Sequence, residues 1–113
     1  MITLGTGDTF QVKCRFRAGP TAPTSLAGYT ITSMVKTSDG MRHPATVTLD
    51  TQPSVVWFVR IEAGVTAKWP GGKDEFDPKG FAEWDCMVVK DGITVHTEKR
   101  PVRVIQTVTV PVV

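Results

Sequence analysis

Apolar and polar residues alternate along most of this chain, and the period is two. From Phe10 to Arg17 every even position is apolar (Phe10, Val12, Cys14, Phe16) and every odd one is polar. That is the pattern of a strand with one buried face, since on a helix the same residues would scatter around the cylinder. Gly19-Pro20-Thr21-Ala22-Pro23 ends the run. The segment Ala27 to Lys36 is rich in β-branched residues and predicts a second strand, with Ala27, Tyr29, Ile31 and Val35 on one face. Ser38-Asp39-Gly40 supplies turn chemistry, because glycine can take positive φ. Ala45-Thr46-Val47-Thr48-Leu49 alternates again, and Asp50-Thr51-Gln52-Pro53 turns after it. Within Ser54 to Glu62, Val55 to Val59 is apolar on both faces, which predicts a central strand.

The character changes between Gly64 and Gly80, where glycine and proline punctuate a long loop with a short turn near Thr66-Ala67-Lys68-Trp69. Strand patterning resumes at Phe81 to Val89, with Ala82, Trp84, Cys86 and Val88 on one face. Asp91-Gly92 is the strongest hairpin signal, and Ile93 to Thr97 returns from it. Val102-Arg103-Val104 opens a last strand that continues into a valine-rich end over 107–113. The elements together predict one all-β domain over 1–113, an antiparallel immunoglobulin-like β-sandwich of about seven strands. Trp57 lies between Cys14 and Cys86, but at a wider spacing than in an antibody domain.

Composition narrows the function classes. A chain of 113 residues supports one hydrophobic core. Thirteen basic and eleven acidic residues leave a net charge of +2, too small an imbalance to argue for nucleic acid. No stretch has the length and apolarity of a membrane span, so no membrane partner is expected. The first residues, Met1 to Asp8, have neither the basic nor the apolar region of a secretory signal. Cys14 and Cys86 are therefore expected as reduced, small apolar residues inside strands, both pointing inward.

The residues that could carry chemistry are few. Serines occur at positions 25, 33, 38 and 54 without a nucleophile elbow, and His43 and His96 read as surface side chains. Asp74-Glu75-Phe76-Asp77 lacks the ligand spacing of a calcium loop. Lys13, Arg15 and Arg17 form a basic stripe that keeps a sheet face soluble, and Arg42, Arg60, Arg100 and Arg103 could extend it into a patch. The chain is accordingly expected to be no enzyme, with no cofactor and no metal. Trp57 and Trp84 read as core residues, while Trp69, before Pro70-Gly71-Gly72, is the aromatic that can serve as an exposed loop contact or equally fold back as a lid over the sandwich end. Val108, Val110, Val112 and Val113 form an apolar, uncharged end. It is expected to bury itself in its own sheet or to add to a neighbouring copy as an assembly surface.

Several segments together resemble the small immunoglobulin-like domains at the N-termini of tailed-bacteriophage baseplate and tail-fibre proteins. The resemblance rests on Gly7-Asp8-Thr9-Phe10, Leu26-Ala27-Gly28-Tyr29, Thr66-Ala67-Lys68-Trp69-Pro70, Glu83-Trp84-Asp85-Cys86, Lys90-Asp91-Gly92 and Val102-Arg103-Val104, in that order across nearly the whole chain. It implies a virion structural protein of tail, baseplate, neck or capsid surface, assembled in the host cytoplasm. Such a protein works by self-assembly into a homo-oligomer and by docking on other virion proteins. The alternative is a carbohydrate- or receptor-binding sandwich using Trp69 and the 64–80 loop.

Overall fold

A computed structural model describes residues 1–16 and 23–108. Nine strands make up nearly all of its regular structure: β1 (Ile2–Gly5), β2 (Phe10–Arg15), β3 (Thr30–Lys36), β4 (Arg42–Pro44), β5 (Thr46–Leu49), β6 (Val56–Ile61), β7 (Phe81–Lys90), β8 (Ile93–His96) and β9 (Arg100–Ile105). One short helix, α1 (Ala63–Thr66), and a 3-10 turn, Pro78–Gly80, sit between β6 and β7. The strands form two sheets. The larger runs β1-β9-β7-β3-β4, with β8 also paired to β7, and the smaller runs β2-β6-β5. The all-β reading therefore holds. As the doubly apolar run predicted, β6 is the central strand of its sheet.

Two features differ from the pattern reading. β1 and β4 were not anticipated, because Arg42-His43-Pro44 has no apolar alternation and Ile2-Thr3-Leu4 has only two apolar positions and no hairpin signal beside it. The sandwich is also not wholly antiparallel, since β1 runs parallel to β9 with Ile2 opposite Val102 and Gly5 opposite Ile105. The chain leaves β1 through Gly7, at φ 86°, and enters the other sheet as β2. A strand that hands over between sheets needs no hairpin to its neighbour, so its direction is set by packing rather than by a turn.

The core lies between the sheets and follows the alternation. Phe10, Trp57, Val59 and Ile61 of the smaller sheet meet Leu4, Ile31, Val35, Ala82, Trp84, Cys86, Val88, Val102 and Val104 of the larger. Phe10 meets Trp84 edge to face, with ring centroids 5.9 Å apart. Each large side chain so buried contributes roughly 1.5–3 kcal/mol relative to exposure. β7 and β9 pair only from Phe81↔Arg103 to Trp84↔Arg100, and β7 and β8 only from Met87↔His96 to Lys90↔Ile93. Between them Thr97 bridges the gap, its N–H donating to the Cys86 carbonyl and its Oγ1 accepting from the Cys86 N–H, both at 2.9 Å. The hairpin turn carries Asp91 at φ 53° and Gly92 at φ 75°, the doubly left-handed turn that Asp-Gly favours.

Candidate functional site

The 64–80 segment is anchored rather than projecting. Thr66 is fully buried, and its Oγ1 donates to the Asp8 carbonyl at 2.6 Å. This ties the loop to the start of β2. Trp69 is 4% exposed and stacks obliquely on His43 at 5.1 Å. Of the two placements open to Trp69, the structure has the folded-back one, with the ring in the core cluster and not available as an exposed contact. His43 is likewise half-buried, not a surface side chain, with Nε2 3.1 Å from Thr37 Oγ1. The acidic cluster organises its own turn. Asp77 accepts N–H groups from Lys73 and Lys79 at 3.1 Å, which hold its carboxyl below the ordinary range, and Asp74 accepts from the Phe76 N–H at 3.0 Å. Among the described residues no group of three or more histidine, cysteine or acidic side chains is placed to hold a metal. The loop does expose an aromatic, Phe76, at 77%. Sequence reasoning passed over it in favour of Trp69.

The basic residues do not all gather into one patch, although Lys13, Arg15 and Arg100 line one cleft. Lys13, Arg15 and Arg60 lie exposed on the smaller sheet, where Arg60 pairs with Glu62 at 2.9 Å. Arg103, on the larger sheet, stacks on the Phe81 ring at 3.9 Å. Arg17 lies outside the described residues.

The valine-rich end begins at a fastened point. Thr107 donates its N–H to Thr6 Oγ1 at 2.9 Å and its hydroxyl to the Thr6 carbonyl at 2.7 Å. These side-chain bonds fasten Thr107 just beyond the β1–β9 ladder, which ends at Gly5↔Ile105. Val108 is fully exposed just beyond the clamp. Val110, Val112 and Val113 lie outside the described residues.

An apolar surface that the sequence did not single out lies at the β7–β8 hairpin. The register Val88↔Val95 and Lys90↔Ile93 places Val95 and Ile93 on the inward face, in line with buried Val88. Yet Ile93 is 67% and Val95 59% exposed, so the smaller sheet does not cover them. β8 pairs only with β7, and its other edge has no strand partner among the described residues. The Ile93-Thr94-Val95 alternation shows which way these side chains point. It does not show that the opposing sheet ends short of them.

A second feature is a cleft of about 650 Å³ on the open side between the sheets, lined among others by Val12, Cys14, Trp57, Trp84, Cys86 and Arg100. It brings the two thiols together. Cys86 is 1% exposed and Cys14 is half-buried. Its nearness to Cys14 pushes the Cys86 thiol down, to about 6, while burial opposes this. The same contact, with burial, pushes Cys14 well above the ordinary thiol range. The pair thus releases its first proton readily and its second with difficulty.

No protein-family model matches this chain, and a search of curated proteins finds no match. Among the described residues no helix is long and apolar enough to cross a membrane.

Proposed function

We propose that this chain is a non-enzymatic assembly module, an immunoglobulin-like β-sandwich that associates with further copies of itself and docks on neighbouring virion proteins of a tailed bacteriophage. The observation that carries the reading is the uncovered inward face of β8. Ile93 and Val95 project from an edge strand whose outer backbone groups have no strand partner among the described residues. Such an edge accepts an added strand, and the apolar side chains reward covering it. The valine-rich 107–113 segment, uncharged and alternating, has the composition of a strand to be added. The two-sheet, all-β architecture is compatible with a sandwich module of this kind. The virion setting itself rests on the order of the short motifs.

The carbohydrate-binding alternative loses its named residue, because Trp69 is buried, and would have to rest on Phe76. Sedimentation of the wild-type chain and of an Ile93→Asp, Val95→Asp double variant tests the assembly reading. The expected result is concentration-dependent association of the wild type and a folded, monomeric variant. A wild type that stays monomeric at every concentration, or a variant that associates equally well, would overturn it.

A further inference from the structure

We infer that Cys14 and Cys86 form a reversible dithiol–disulfide centre at the floor of the inter-sheet cleft, oxidised by exchange with a small-molecule disulfide and able to bolt the two sheets together. The inference is independent of the assembly reading.

The geometry has three parts. Cys14 on β2 and Cys86 on β7 come from opposite sheets and face each other across the core, lining the same cleft. A bond between them would join the two layers, which among the strands share no backbone ladder. The cleft also gives access. At about 650 Å³ it falls within the size range of small-molecule sites, and Cys14 is the half-buried partner at its wall. Finally, the surroundings favour negative charge on sulfur. The Trp57 indole N–H is buried beside the pair without an oxygen or nitrogen acceptor, and it lowers the Cys86 thiol toward its anion. At Cys14 the Cys86 contact and burial outweigh the lowering by Arg100, which also lines the cleft, so the anion of the pair sits on Cys86. The thiolate is the form that attacks disulfides.

The exchange balances in two steps. The Cys14 sulfur attacks one sulfur of the incoming disulfide and passes its proton to the Cys86 thiolate beside it. The external S–S bond breaks, and the first thiol leaves as its anion. The Cys86 sulfur then attacks the Cys14 sulfur of the mixed disulfide, and the second external thiol leaves with the proton from Cys86. Both cysteines are oxidised by one electron each, and the external disulfide is reduced to two thiols. Cys86, at 1% exposure, is placed as the resolving sulfur and Cys14 as the one first reached.

The test equilibrates the full chain in glutathione buffers of graded poise, quenches with an alkylating agent and reads the intact mass. The expected product is a monomer lighter by two hydrogens, carrying no alkyl group and reverting on addition of a dithiol reductant. Cys86→Ser should trap glutathione on Cys14, and Cys14→Ser should leave Cys86 unmodified while the chain is folded. The inference is overturned if the folded wild type is alkylated at both cysteines in every buffer, or if only intermolecular disulfides form. Because the wild-type measurement needs no substitution, it decides the matter even where a variant fails to fold.

Discussion

Ser33→Ala isolates a buried hydroxyl with three polar contacts. Ser33 lies on β3 directly opposite Cys86 and is 4% exposed. Its hydroxyl donates to the Asp85 carbonyl at 2.7 Å and accepts the Trp84 indole N–H at 2.7 Å, with Cys86 Sγ at 3.5 Å. Alanine fits the space but removes both bonds. A net hydrogen bond contributes about 1 kcal/mol, and a buried donor left unpaired costs about 1–3 kcal/mol. The Trp84 N–H is such a donor, since Trp84 is 7% exposed. The Asp85 carbonyl loses one of two lone-pair partners at most, a smaller cost. The expected loss is about 2–3 kcal/mol against a total stability of about 5–15 kcal/mol for a domain of this kind. At roughly 4 °C per kcal/mol this lowers Tm by about 10 °C. Urea unfolding should show an earlier midpoint at unchanged slope. The double-mutant cycle with Trp84→Phe should give a coupling of about 1–2 kcal/mol, because the indole donor is then absent from the start. A loss below about 0.5 kcal/mol, or additive effects in the cycle, would refute the claim that this hydroxyl satisfies the Trp84 N–H.

Other consequences follow from single contacts. A Cβ at Gly80 would run into the Val104 carbonyl oxygen of β9, so Gly80→Ala should destabilise by about 2 kcal/mol or more in a thermal melt. The Asp77 carboxylate is held below the ordinary aspartate range by the Lys73 and Lys79 N–H groups, so its contribution is present above the unfolded value and lost as pH falls through the lower folded one. Asp77→Asn should therefore lower Tm at neutral pH and flatten the decline below about pH 4, which a series of melts would show. Thr107 clamps the end of β9 to Thr6 by two bonds. A chain ending at Gln106 should lose about 1–2 kcal/mol in urea unfolding, while one ending at Val108 should keep its stability and lose association.

The parts of the fold visible in the sequence are those where burial is one-sided. In β7 the alternation of Ala82, Trp84, Cys86 and Val88 with polar neighbours reproduces the observed burial, and Asp91-Gly92 places the hairpin. β1 and β4 were hidden because so short a strand takes its stability from partners elsewhere in the chain. The placement of Trp69 stays open between surface and lid in the sequence for a similar reason. Proline and glycine mark an irregular backbone, but they do not say whether its side chains point out or, as here, fold back over His43. The pairing of Cys14 with Cys86 needed the relative placement of two sheets, which no spacing encodes. The exposure of Ile93 and Val95 needed the length of the smaller sheet as well.

The most direct test of the assembly reading is amide hydrogen exchange of residues 93–96 as a function of protein concentration. Association through the β8 edge predicts that these amides become protected as concentration rises, together with a protected segment in 107–113, while the core amides of β7 do not change. Exchange at 93–96 that stays fast and independent of concentration, in a sample that nevertheless associates, would contradict the account and place the interface elsewhere on the molecule.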